Sequence, residues 1–287
     1  MTDTNQEQTG SLESSQASVA SALLEGLIAG DVSAVRGLFD GPADIDDPLA
    51  GRQIDGGFEQ LVKNWGPATL TTVKSVELVH STSGANGRFS GSEFHLVLDK
   101  DGADKELDAV VISEFNEQGG LIRNRLYYRA ARILGVQHQR TRILPEEPVY
   151  LEEQHPVIAE YQKQLRLGDP KGQAETFGPD GIFNGHGESQ DLRDGLGMGI
   201  YEGRDAVRAV LDEMFAVGDE EAGHDGEEHA GAVLEKLNIF ANGTTTILEF
   251  NIIHVNHPVN RVSAGVAAYE LGDDGLIKEA RVYDEAW

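Results

Sequence analysis

The chain has 287 residues, enough for two domains of ordinary size that each bury a core of their own. It contains no cysteine, which excludes disulfides, thiolate metal ligands and a cysteine nucleophile. A formal net charge of −26 speaks against nucleic acid and against an anionic membrane surface as partners, and no run is long and apolar enough for a membrane helix.

Residues 1–15 are polar and lack an apolar signal core, so they read as a disordered arm of a cytoplasmic protein. A first helix is expected over 18–28, where Val19, Leu23, Leu24, Leu27 and Ile28 form an apolar stripe. Gly30 stops it, and Asp31 caps a second helix with Val32, Val35, Leu38 and Phe39 on its buried face. Phe58, Leu61, Val62 and Trp65 are spaced for a third. After Pro67 the segments 69–80, 89–99, 108–116 and 121–133 are rich in Val, Leu, Phe, Thr and Tyr. They are bounded by Gly, Asn and Asp, as strands are.

Residues 134–150 carry Gly135, Pro145 and Pro148 among mixed charges and read as a linker. A helix over 157–167 follows, then Asp169-Pro170, a cap with proline at the first helical position. Val207, Val210, Leu211 and Met214 repeat the third helix's spacing, and strands are expected at about 232–241, 244–256, 261–271 and 276–284. The acidic segment 218–231 reads as a solvated excursion.

The second half therefore restates the first. Gly30-Asp31 returns as Gly168-Asp169, Leu38-Phe39 as Thr176-Phe177, and Glu93-Phe94 as Glu249-Phe250. Leu121-Ile122-Arg123 before Tyr127 returns as Leu276-Ile277-Lys278 before Tyr283. Helices followed by antiparallel strands give an α+β class, here in two tandem domains at 16–133 and 151–287. Two equivalent interiors follow, and their differences become the functional question.

The Ala29-Gly30-Asp31 turn, the stretch from Phe39 to Asp47-Pro48, and Gly120-Leu121-Ile122 before Tyr127-Tyr128 resemble ketosteroid isomerases and SnoaL-type polyketide cyclases. Gly203-Arg204-Asp205-Ala206-Val207 and Asp274-Gly275-Leu276-Ile277 extend the resemblance through the second half. The chain is thus identified as resembling a tandem member of the NTF2-like superfamily. That resemblance implies cystatin-like cones, each a curved antiparallel sheet around helices with an apolar interior open to a small molecule. The superfamily hosts isomerases, cyclases, lyases, epoxide hydrolases and binders, so the residues must decide among them.

The isomerase pattern pairs a helix-1 tyrosine with an aspartate base before proline and a neutral acid on a late strand. Asp47 falls on the base position, where it is either a desolvated base or the cap of the Pro48 turn. The other two positions are Leu23 and Val111. In the second half the tyrosine is present as Tyr161, the base position is Gly185 between Asn184 and His186, and the acid position is Ala267. The resemblance therefore implies the second cone as the active site, with Tyr161 as oxyanion or hydroxyl partner and His186 as base, and Asp47 as base if the first cone is active at all. The alternative for Tyr161 is core filling, and for His186 a glycine-rich loop.

Glu249, Asn251 and His254 are polar on an otherwise apolar strand, with Glu93 and His95 as first-half counterparts. A buried Glu is costly unless paired, so Glu249 either serves the pocket or lies on an outer face. Trp65, Tyr127, Tyr128, Tyr201 and Tyr283 are candidate pocket aromatics, with Asn184 beside them. The insert 187–200 reads as a flap beside Tyr201. The glycines at 195, 197 and 199 lack dinucleotide-loop spacing, and neither His224 with His229 nor His254 with His257 fits a metal site. No serine sits in a nucleophile elbow.

The expectation is a cofactor-independent acid/base enzyme, a lyase or isomerase/cyclase, using no metal. Its substrate would be a hydrophobic oxygenated small molecule, aromatic or polyketide-like. The chain would have no nucleic-acid or membrane partner, and a homodimer is open. The alternatives are a non-catalytic binding or assembly module and a tandem epoxide hydrolase/cyclase.

Overall fold

In a computed structural model, residues 3–47, 52–53, 71–128, 150–186, 198–222, 231–254 and 262–283 are described. The chain divides into two compact units between Ile133 and Leu134, apart from Phe240–Asn242, which group with the first.

The first unit opens with α1 (Asp3–Ala29) and α2 (Val32–Leu38). Helix α1 starts inside the segment read as a disordered arm, and Gln16 and Ala17 on it are buried. Glutamine and glutamate, frequent in that segment, are good helix formers. Gly30 takes φ +68° at the α1 terminus, where a side chain would be strained. Asp31 accepts hydrogen bonds from the Ser33 and Ala34 backbone N–H groups, at 3.0 and 2.9 Å, which starts α2 as expected.

Six strands follow: β1 (Phe39–Asp47), β2 (Arg52–Gln53), β3 (Thr72–Ser83), β4 (Phe89–Lys100), β5 (Ala103–Phe115) and β6 (Leu121–Tyr128). Phe39 begins β1 instead of closing α2, and β5 starts earlier than the 108 expected. The early part of β5 is exposed and charged, so hydrophobic pattern could not mark it. Trp65 and the expected third helix lie outside the described residues.

The second unit repeats this plan with α3 (Pro156–Leu167) and α4 (Pro170–Glu175). Gly168 takes φ +64°, and Asp169 accepts from the Gly172 N–H at 2.9 Å. Strand β7 (Tyr150–Leu151) precedes α3, and β8 (Phe177–His186) and β9 (Met198–Glu202) follow α4. Helix α5 (Arg204–Ala222) leads to β10 (Ala232–Ala241), β11 (Thr245–His254), β12 (Val262–Leu271) and β13 (Ile277–Val282). Two expected loops are partly regular. Met198–Glu202, in and beside the expected flap, is strand β9 paired to β8. Helix α5 continues to Ala222 through residues read as acidic loop. Glu220, Glu221 and Ala222 suit a helix as well as a loop.

Both sheets have one topology. The first runs β2-β1-β6-β5-β4-β3, and the second β9-β8-β13-β12-β11-β10 with β7 added beyond β10. In each, the first long strand pairs parallel with the last; β1–β2, β3–β4, β4–β5 and β5–β6 in the first and β8–β9, β11–β12 and β12–β13 in the second are antiparallel. Even the irregularity recurs. The stretch from Phe39 to Asp44 faces only Leu121 to Arg123, and that from Phe177 to Ile182 faces only Ile277 to Glu279. A bulge kept at the same place in both copies re-aims the strand end that carries the base position.

This register makes residue equivalence a geometric statement. Phe39 matches Phe177, Ile45 matches Phe183, and Asp47 matches Gly185. Glu93 opposite Val110 matches Glu249 opposite Val266. The duplication and the α+β class read from the sequence are thus present strand by strand. The expected linker, apart from Tyr150, lies outside the described residues.

Candidate functional site

In the second unit, the helix-facing side of the sheet is packed with rings. Tyr161 from α3 is 5% exposed and meets Phe177 and Tyr269 edge-on, at centroid separations of 5.9 and 5.6 Å. Ile158, Phe183, Leu248, Phe250, Ala267, Ala280, Val207 and Leu211 complete the same buried cluster. Edge contacts of this kind fix ring orientation as well as filling space. Tyr161 is therefore placed where helix 1 meets the sheet, as expected, but among apolar neighbours.

The base position of this unit is occupied by a ring. A Cβ built on Gly185 would lie 2.4 Å from the Phe183 ring, so that ring rests over the glycine. Gly199 is the register partner of Gly185, and Tyr201 rests over it in the same way. Phe183 and Tyr201 are themselves register partners, with ring centroids 6.5 Å apart. The paired glycines thus make room for two rings leaning along the ribbon. Tyr201, half-buried, belongs to this ribbon.

Asn184 faces Arg281 on one side and Ile200 on the other and is half-buried. His186 ends β8 opposite Met198. Strand alternation gives positions 184 and 186 the face opposite to Phe183, whereas Tyr161 shares the Phe183 cluster. The structure does not bring residue 161 and position 186 to one face of this sheet. The side chains of Asp47, His186 and His254 lie outside those described.

The same cross-strand row reads differently in the two units. In the second it runs Thr246, Tyr269, Ala280, Phe183. In the first it runs Ser90, Ser113, Asn124, Ile45, with Ser83 added on β3. Ser113 and Asn124 are 0% and 1% exposed, and the Asn124 amide donates to the Ser113 hydroxyl at 2.8 Å. Ser113 also lies two residues along β5 from Val111, on the same face. Asp47 ends β1 opposite Arg52, with the parity of Ile45, the register partner of Asn124. The sequence reading missed Ser113 and Asn124. Their signal was a polar residue at inward parity, with Ser113 between Val111 and Phe115.

The other candidates divide by face. Glu249 and Asn251 alternate with Leu248 and Phe250, so they sit opposite the Tyr161 cluster. Glu249 is nonetheless fully buried and accepts from the Asn238 amide, while Asn251 donates to Glu235 at 3.1 Å. The expected choice between pocket and exposed outer face is corrected: the face is the far one and it is buried. In the first unit Glu93 is 1% exposed on the matching face, and His95 Nδ1 lies 2.8 Å from Asp108 Oδ1. Tyr127 pairs with Val110 on that face, and Tyr128 pairs with Ala109 on the helix-facing one. Tyr283 is buried, and its N–H donates to the Val266 carbonyl at 2.8 Å. Among the described residues, no three His, Asp or Glu side chains converge as a metal site, and no helix is long and apolar enough to cross a membrane.

The architecture defines a tandem α+β protein in which one helix-then-sheet unit occurs twice. No family model matches the chain, and no curated protein matches it in sequence. It is similar in fold to solved structures of NTF2-like and cystatin-fold proteins. A proposed polyketide cyclase from Sinorhizobium meliloti is 15% identical, over 44% of this chain and 92% of its own, with a TM-score of 0.31. Another from Xanthomonas campestris pv. campestris is 18% identical, over 44% and 86%, with a TM-score of 0.32. An NTF2-like protein of unknown function from Cytophaga hutchinsonii is 16% identical, over 47% and 95%, with a TM-score of 0.31. Each spans about the length of one repeat, and the likeness concerns fold alone.

Proposed function

We propose that this protein is a cofactor-independent acid/base enzyme, a lyase or isomerase/cyclase, acting on a hydrophobic oxygenated small molecule of aromatic or polyketide-like type. The reacting repeat in this reading is the first. The observation that carries it is the buried Asn124–Ser113 pair, set where the second repeat has Ala280 and Tyr269 packed beneath Tyr161. Ser113 accepts from the Asn124 amide, so its own O–H is left to donate elsewhere. A preorganised donor in an interior without water is worth most where negative charge develops on a substrate oxygen. Asp47 would remove the proton whose loss creates that charge. The carbanion then rearranges, closes a ring or expels a leaving group, and the proton on Asp47 is returned to product.

The second reading keeps Tyr161 as the acid/base group of the second repeat, with Tyr201 about the substrate; it leaves out Asn184 and His186, whose positions take the opposite face of the sheet. It is favoured by the fixed orientation of Tyr161 between two rings. The non-catalytic alternative is favoured by the same packing, if both repeats serve only to bind or assemble. One set of variants separates the three. On the first reading Asp47→Asn lowers kcat by at least about a hundredfold, the scale of one general base, while Tyr161→Phe and His186→Asn retain it. Loss of turnover in Tyr161→Phe with Asp47→Asn unaffected moves the chemistry to the second repeat. Full turnover in all three variants ends the acid/base proposal.

A further inference from the structure

The polar row of the first repeat ends at the turn joining β3 to β4, where buried polar atoms lack partners. Ser83 and Ser90 are direct register partners, 1% and 0% exposed. Neither hydroxyl finds a hydrogen-bond partner among the described residues. Gln16 of α1, 4% exposed, docks on the same turn, and its Nε2 donates to the Gly87 carbonyl at 2.6 Å. That bond fixes the amide, because only the nitrogen can meet a carbonyl oxygen. Gln16 Oε1 therefore turns away from Gly87, and it too has no partner among the described residues. Thr82 has the opposite parity and belongs to the other face.

The second repeat shows what these atoms replace. There Thr246 stands for Ser90, Tyr269 for Ser113, and Tyr161 for Leu23. The first repeat therefore carries Leu23 and Ser113 where the second carries two rings, and its row is lined by hydroxyl and amide groups. Buried polar groups of this kind are hydrogen-bonded in folded proteins, to protein, to water or to a ligand.

We propose that the first repeat binds a neutral, hydroxyl-bearing small molecule between α1 and strands β3–β5, with Gln16 Oε1, Ser83 Oγ and Ser90 Oγ holding its oxygen-bearing end. This deepens the function proposed above and rests on the first repeat being the reacting one. Neutrality follows from the lining. Ser83, Ser90 and Gln16 carry no charge, and at this end of the row, across the sheet from Asp47 on β1, a buried ion would have no counter-charge beside it. The hydroxyl follows from Gln16 Oε1, which can only accept and so requires a donor on the ligand.

The test is isothermal titration of the full chain with resorcinol, using m-xylene as the hydroxyl-free isostere. Saturable resorcinol binding is expected, with m-xylene at least tenfold weaker. Ser83→Ala combined with Ser90→Ala should weaken resorcinol about tenfold or more, and Thr246→Ala in the second repeat should leave it unchanged. If the double variant does not fold, as judged by far-UV circular dichroism, Gln16→Leu carries the same expectation. Absence of saturable binding, or binding indifferent to these substitutions, overturns the site and leaves ordered water as the partner of these atoms. Asp47→Asn separates this proposal from the catalytic one. It should bind resorcinol normally while losing turnover. Lost turnover without any resorcinol site refutes only the subsite, and retained turnover with an intact site refutes only the catalytic assignment.

Discussion

Replacing Tyr161 by leucine, the residue at the matching position of the first repeat, is expected to destabilise the second unit by about 2–4 kcal/mol. The figure comes from two contributions. Tyr161 makes edge-on contacts with Phe177 and Tyr269, and such pairs are worth about 0.5–1.5 kcal/mol each beyond their buried area. The ring also fills space inside a cluster whose other members are buried, and a residual cavity adds about 1 kcal/mol for every 40 Å³ left open. The assay is urea unfolding of the full chain followed by far-UV circular dichroism. With two compact units the curve can resolve into two transitions, and only one of them should move. A shift below about 0.5 kcal/mol, outside the range expected for ring contacts, would refute the reasoning. It would mean that the second interior is loosely filled, and Tyr161 would return to contention as a catalytic group.

Three further outcomes follow from the same geometry. Gly185→Ala should cost about 1–3 kcal/mol, as overpacking does, because its Cβ meets the Phe183 ring at 2.4 Å; the near-UV circular dichroism of the rings should change with it. Asp169→Ala should cost about 1 kcal/mol through loss of the bond from the Gly172 N–H, read as faster amide exchange at the start of α4. Burial holds the Lys236 ammonium below the usual lysine range. Its charged form is thus disfavoured in the folded state, and that cost is relieved as pH rises through the folded pKa towards the unfolded value. Lys236→Met should leave stability at neutral pH equal or slightly higher and flatten the alkaline rise, as measured by urea midpoints across pH.

Much of the fold was legible because it depends on local chemistry. Gly30 and Gly168 stop helices by taking positive φ, and Asp31 and Asp169 start the next ones by capping, all within a few residues. The boundaries that went astray are those where local preference is silent. Helix α1 begins at Asp3, inside a segment whose polarity read as an arm, and Met198–Glu202 becomes a strand because β8 offers it a partner. The site was harder to read. Glu249 and Asn251 were visible as polar residues on an apolar strand, but their partners Asn238 and Glu235 come from a different strand.

The sequence by itself determined that the chain carries one α+β plan twice and that the copies differ at Leu23 and Tyr161 and at Asp47 and Gly185. Those facts lie along the chain, in repeated turns and in periodicity, and need no neighbour. Only the tertiary structure decided which side chains share a face. It set Ser113 beside Asn124, laid Phe183 over Gly185, and put Ser83 against Ser90 beneath the turn that holds Gln16. These pairs depend on strand register, and a shift of one residue would send every side chain to the opposite face.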